Sequence, residues 1–140
     1  MLCDNRVRNA VQTWSYITAP RYKADLELSV EFFRSLTLMS TPALYGEAFG
    51  LYVIEAMAAG VPVVQPRHAS FPELIEATGG GVICEPTAKG LAASIEQLLS
   101  DPIALGGLSE AGRNAVFKDF SMERMAEGTA KVLEEVATNF

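Results

Sequence analysis

The chain has little of what many chemistries require. Its 140 residues include two cysteines, one histidine and one tryptophan, and aromatic residues make up only 9%. Cys3 and Cys84 are far apart and in no metal-ligand spacing, and two thiols are too few for a disulfide scaffold. Reduced, inert thiols and no metal site are expected. His68 has no identifiable acid or nucleophile partner and reads as a surface loop residue, not as a catalytic base. Basic residues are also scarce: 11 Lys and Arg against 17 Asp and Glu leave a net charge of -6. A nucleic-acid or anionic-membrane surface needs a basic patch, so neither partner is expected. No run of about 18 apolar residues occurs, and the amino terminus Met-Leu-Cys-Asp-Asn-Arg lacks an apolar signal core. A cytoplasmic protein with no membrane span is therefore expected. No internal repeat or low-complexity stretch is evident.

Hydrophobic residues make up 49% of the chain, ample for one core in about one domain. The stretch Tyr45-Gly-Glu-Ala-Phe-Gly-Leu-Tyr-Val-Ile-Glu-Ala-Met-Ala-Ala-Gly60 organises the rest. It reads as a tight loop, an apolar helix over 50–59 and a stop at Gly60, followed by a strand over 61–65. Within that helix Glu55 is the only charged side chain, and helical spacing places it with Leu51, Tyr52, Ala58 and Ala59. A carboxylate among such neighbours is costly to dehydrate unless something donates hydrogen bonds to it. Glu47 precedes the helix, near its N-terminal N–H groups and the positive end of its dipole. Gly46 and Gly50 let the backbone turn sharply and let a bulky anion approach, the arrangement that binds phosphate at helix N-termini.

Other elements follow from periodicity. Residues 24–36 predict an amphipathic helix, and Leu36-Thr-Leu-Met-Ser40 a short strand over 37–41 ended by Pro42. A short helix over 71–77 has Pro72 in its first turn. Gly79-Gly80-Gly81 precedes a strand over 82–84 and forms a turn, not a dinucleotide fingerprint. Helices are expected over 88–100, 102–117 and 122–137, the last capped by Ser121 with Met122, Met125, Val132, Leu133 and Val136 on its apolar side. Residues 1–23 form a separate N-terminal segment with no assigned role. There Trp14 and Tyr16 read as packing residues, and Arg6 and Arg8 as solvated charges.

Taken together, these elements resemble a family. Glu47-Ala-Phe-Gly-Leu-Tyr-Val-Ile-Glu55, followed by Ala-Met-Ala-Ala-Gly-Val-Pro-Val-Val64, is similar to the E-x7-E signature of retaining, nucleotide-sugar-dependent glycosyltransferases of the two-domain GT-B architecture. Phe71-Pro-Glu-Leu-Ile75 resembles the family's x-P-E helix start, although the glycines usual before it are absent. Gly79 to Pro86 resembles its glycine-rich strand, Leu91 to Pro102 its following helix, and Phe120-Ser-Met-Glu-Arg124 its late FSWE element. The series covers roughly residues 24–138 in the family's order.

The resemblance implies an α/β fold: a Rossmann-like parallel sheet with flanking helices, as an incomplete GT-B C-terminal domain over 24–140. It implies hexosyl transfer from a UDP-, GDP- or ADP-sugar donor, with no further cofactor. On that reading Gly46, Phe49, Gly50, Leu51 and Glu55 bind the donor. Glu55 takes the ribose hydroxyls, the N–H groups near 49–51 take a phosphate, and Glu47 is the catalytic candidate beside the sugar. The basic pair that would reach the diphosphate has no counterpart in residues 1–23, and the acceptor domain is absent. A fragment inactive alone is therefore expected, completed by self-association into a homo-oligomer or by a partner chain. Two other readings stay open: a non-catalytic binding or self-assembly module derived from the fold, and a GT-B nucleotide-sugar epimerase.

Overall fold

The computed structural model describes residues 25–43, 46 and 48–138, and for 25–28 the backbone alone. Expectations for Arg6, Arg8, Trp14, Tyr16, Cys3 and Glu47 lie outside these residues. The described elements, in order, are helices α1 (Asp25–Arg34) and α2 (Leu51–Ala58), strand β1 (Val63–Pro66), helix α3 (Phe71–Thr78), strand β2 (Gly81–Cys84), and helices α4 (Ala88–Leu99), α5 (Pro102–Asp119) and α6 (Met122–Thr138). They match the expected order of helices and strands to within a few residues at each end.

Each boundary has a local cause. Gly50 enters α2 at φ 75° and ψ 44°, a left-handed conformation that an L side chain resists. A Cβ at that position would also come within 3.2 Å of Leu74 Cδ1. At the other end the N–H groups of Gly60 and Val61 donate back to Met57 O and Ala56 O, so the chain leaves α2 and enters β1 in one tight step. Thr87 and Asp101 cap α4 and α5 through their side-chain oxygens, and Pro102 opens α5 where its missing N–H costs nothing.

β1 and β2 pair in parallel, from Val63 opposite Gly81 to Pro66 opposite Cys84, with α3 as the crossover between them. The strand expected over 37–41 is reduced to a single parallel bridge between Met39 and Val63. Met39 N donates to Pro62 O and Met39 O accepts from Val64 N, both at 2.9 Å. That uses both backbone groups of Met39 towards β1. On its other side no strand pairs among the described residues, so nothing extends the ladder.

Side chains alternate across β1 as strand geometry requires. Val63 packs into the larger core with Val53, Ala56, Met57, Phe71 and Ile75 from α2 and α3, joined by Phe33 of α1 and Val116 of α5. Val64 points the other way, towards Cys84 and Leu98, with Leu91, Ile95 and Leu105 closing that layer. The strand is buried throughout, as expected for one covered on both faces. The glycine turn serves close packing as well as turning: α5 crosses so tightly that a Cβ on Gly80 would lie 2.6 Å from Gly112 Cα.

α6 forms where expected, with the Ser121 hydroxyl accepting from Arg124 N at 3.2 Å. Its apolar side stays exposed, however, and none of its residues is buried. No described helix is long and apolar enough to cross a membrane.

Candidate functional site

α2 builds the site. Its apolar face, Val53, Ala56 and Met57, is fully buried and fixes the helix against the sheet. The same anchoring turns Glu55 outward, into a groove of about 350 Å³. One wall of the groove comes from α1 with Val30, Phe33 and Arg34, and the other from α5 with Arg113 and Phe117; Ala58 and Ala59 continue α2 along it. The Arg113 guanidinium lies 5.8 Å from the centroid of the Phe117 ring, within cation–π range.

Glu55 is thus placed as its pattern implied, beside Ala58 and Ala59, whereas Leu51 is 60% exposed at the helix start and does not line the groove. The surrounding walls raise the Glu55 carboxyl above its ordinary range by removing water from it. The residue as a whole stays exposed, so only one side of the carboxyl is dehydrated. No described side chain forms an ion pair with it. The groove therefore holds a hydrogen-bond acceptor that the fold itself does not satisfy.

At the N-terminus of α2, Gly50 is buried, while its neighbours Phe49 and Leu51 are 54% and 60% exposed. Gly46 is exposed, and a Cβ there would meet no atom within 4 Å, so the turn is open to solvent on that side.

The loop after β1 lies at the carboxyl end of the sheet, where open α/β folds place ligands. His68 is half-buried there, with its N–H donating to Pro66 O. Ala69 is the only described non-glycine residue at positive φ, 50°. It takes the left-handed turn in a loop from which the family pattern's glycines are missing. Among the described residues no group of three or more His, Cys, Asp or Glu side chains could hold a metal. Cys84 is buried and free, and burial pushes its thiol up, which leaves it a poor nucleophile.

Sequence reasoning missed three groove residues. Arg34 and Arg113 bring two cations to the groove, and Phe117 supplies an aromatic wall. The signal was faint: Phe33-Arg34 and Arg113 with Phe117 four residues on are ordinary helix-surface patterns, and only the packing of α1 and α5 against α2 joins them.

The chain resembles known proteins in sequence and in fold. Residues 25–115 match the family described as "Glycosyl transferases group 1". The chain is 37% identical over 87 residues to a glycogen synthase of Mycobacterium tuberculosis, covering 61% of this chain and 21% of the relative. It is 32% identical over 114 residues to the MMP alpha-(1->4)-mannosyltransferase of Mycolicibacterium hassiacum, covering 80% of this chain and 27% of the relative. Among solved structures, the sucrose-phosphate synthase of Thermosynechococcus elongatus superimposes with a TM-score of 0.67 at 27% identity, over 78% of this chain and 27% of that one. The C-terminal domain of a glycosyl transferase group 1 family protein from Francisella tularensis gives a TM-score of 0.58 at 25% identity, over 65% of this chain and 47% of that domain. The chain spans only about a quarter of the curated relatives it matches.

Proposed function

The chain belongs to the glycosyl transferases group 1 family, and on that premise we propose that it carries the nucleotide-sugar donor end of a retaining glycosyltransferase. The observation that carries the reading is Glu55: a partly dehydrated, unpaired carboxylate on the groove side of a helix whose N-terminus is opened by glycine. A ribose offers two adjacent hydroxyl donors, which is what such a carboxylate lacks. The N–H groups near Phe49, Gly50 and Leu51, at the positive end of α2, hold a donor phosphate and ease departure of the diphosphate as charge develops on it. Gly46 leaves room for that approach. Glu47 contacts the transferred sugar and stabilises positive charge on it. Arg34 and Arg113 keep the groove net positive against the single carboxylate, which favours an anionic nucleotide.

The described sheet is two strands and a bridge, and no acceptor-binding half is present among the described residues. On this reading the described residues bind donor nucleotide. Titration with UDP, GDP and ADP by calorimetry tests it. The expected result is saturable binding of one nucleotide, weakened about tenfold or more by Glu55→Gln, the loss of a hydrogen bond to a charged acceptor. If no nucleotide binds, or if Glu55→Gln binds as tightly, the donor-site reading fails. The exposed apolar side of α6 favours the second reading, a self-assembly module, which that failure would leave standing.

A further inference from the structure

α6 leaves the body carrying an apolar stripe that nothing in the described structure covers. Met122 is 78% exposed, Met125 69%, Val132 58% and Val136 51%. With Thr129 these residues repeat at alternating spacings of three and four, the pattern of a helix that packs along a seam. Leu133, 64% exposed, widens the stripe, and Ala126 and Gly128 on its flanks leave room for close approach. The same chain exposes a second unmatched apolar surface: the groove between α1 and α5, where Phe117 is 65% and Val30 38% exposed. We propose that these two surfaces are halves of one interface, and that α6 of one copy docks its stripe into the α1–α5 groove of a second copy, reciprocally.

Two arguments select this occupant. The first is length. α6 has 17 residues, fewer than the three to four heptads a free-standing coiled coil needs, so pairing of α6 with another α6 alone is too short to hold. The second is area. Five large stripe side chains at roughly 100 Å² each bury about 500 Å² per helix. An α6–α6 seam would therefore bury about 1,000 Å² in total, below a stable interface, whereas two reciprocal dockings bury both stripes and, in addition, the groove surface of both copies, and so exceed it. Charge agrees with the choice. α6 carries Glu123, Glu127, Glu134 and Glu135 against Arg124 and Lys131, while the groove sets Arg34 and Arg113 against Glu55. Reciprocal docking closes the assembly at two copies, whereas head-to-tail docking of the same stripe and groove would propagate into an open polymer. An occupied groove also covers Glu55, so a dimer formed this way withholds that carboxylate from other ligands.

Sedimentation equilibrium of the whole chain, without nucleotide, tests the proposal. Because the probe is self-association alone, its outcome is independent of whether a donor binds. The wild-type chain is expected to dimerise in the micromolar range. Val132→Asp with Val136→Asp on the stripe, and separately Phe117→Asp in the groove, should each weaken the dimer at least tenfold. All three side chains are more than half exposed, so these changes leave the core intact, and unchanged helical circular dichroism would verify that. Mixing the stripe variant with the groove variant should give a heterodimer tighter than either variant alone but weaker than the wild-type dimer, because only one of the two dockings is then intact. A wild-type chain that stays monomeric would overturn the proposal. So would a dimer lost with the stripe variant but kept with Phe117→Asp, which would assign the contact to α6–α6 pairing.

Discussion

The crossing of α5 over the glycine turn offers a sharp test, because one helix carries both the test site and its control. Replacing Gly by Ala in the interior of an exposed helix normally stabilises by about 1 kcal/mol, since alanine restricts the unfolded chain and favours the helix. Gly107 meets that condition: it is exposed in α5, and a Cβ there finds no atom within 4 Å. Gly112, five positions later in the same helix, does not. Its Cβ would lie 2.8 Å from Gly80 Cα and 3.3 Å from Met57 Cγ, and the nearest atom is backbone, which cannot rotate away. Either the crossing opens or the core under Met57 distorts, and overpacking of this kind costs about 1–3 kcal/mol. Net of the helix gain, Gly112→Ala should destabilise by up to about 2 kcal/mol while Gly107→Ala stabilises by about 1 kcal/mol. Urea denaturation of the two variants, at equal slopes, reads the difference directly. Gly112→Ala should also loosen the groove, because Arg113 and Phe117 follow on the same turn and the next. If Gly112→Ala proves as stabilising as Gly107→Ala, the close crossing is wrong, and with it the placement of Arg113 in the wall of the groove.

Three further outcomes follow from single residues. Ala69 sits at φ 50° and is exposed, so Ala69→Gly should raise stability by about 0.5–1 kcal/mol and Ala69→Val should lower it by more than 1 kcal/mol despite touching little, both measurable by thermal melts. Burial raises the Glu55 carboxyl, so between the ordinary and the raised pKa the folded state holds more protons than the unfolded state, and stability falls as pH rises through that window; Glu55→Gln should flatten this slope, which amounts to no more than a few tenths of a kcal/mol for so exposed a group. On the donor reading, nucleotide affinity runs the other way, rising with pH through the same window as the accepting carboxylate forms, and an affinity that is flat with pH would count against Glu55 as the ribose acceptor. Cys84 is 5% exposed, so a thiol reagent should label it no faster than the domain opens, and labelling at the rate of a free thiol would contradict its place beneath α4.

Much of the fold was legible in the sequence because its elements announce themselves locally. Gly50 and Gly60 bracket α2, the run Val61 to Val64 reads as a strand buried on both faces, and Asp101-Pro102 and Ser121 mark helix starts by cap chemistry. Two things were not legible. The segment 37–41 has strand composition, but a strand also needs neighbours, and only Met39 finds one. α6 has the periodicity of a packed helix, yet none of its residues is buried, because a stripe records that a partner is required and not where that partner is. The candidate site divides the same way. Glu55 stood out as a lone charge in an apolar helix, but its surroundings are tertiary: Arg34, Arg113 and Phe117 join it in one groove only through the packing of α1 and α5.

One further pattern bears on the donor reading. Gln65, in the middle of β1, is fully buried; its Oε1 accepts from Thr41 N at 3.2 Å, while its Nε2 has no hydrogen-bond partner among the described residues. Ser40 Oγ is likewise buried without a partner. Orphaned buried groups of this kind cost about 1–3 kcal/mol each, a large share of the stability of a domain this size. A leucine or methionine in place of Gln65 would avoid the cost, as Val61, Val63 and Val64 do along the same strand. These costly polar groups are not scattered: Gln65 lies near the carboxyl end of β1, and its contact with Thr41 N reaches the segment that leads into the Gly46–Gly50 loop. Open α/β sheets bind ligands at this end, so the polar groups lie where a site would need them. The sheet gives up apolar packing where the loop towards α2 begins and keeps it elsewhere, which supports reading this end of the domain as built for binding.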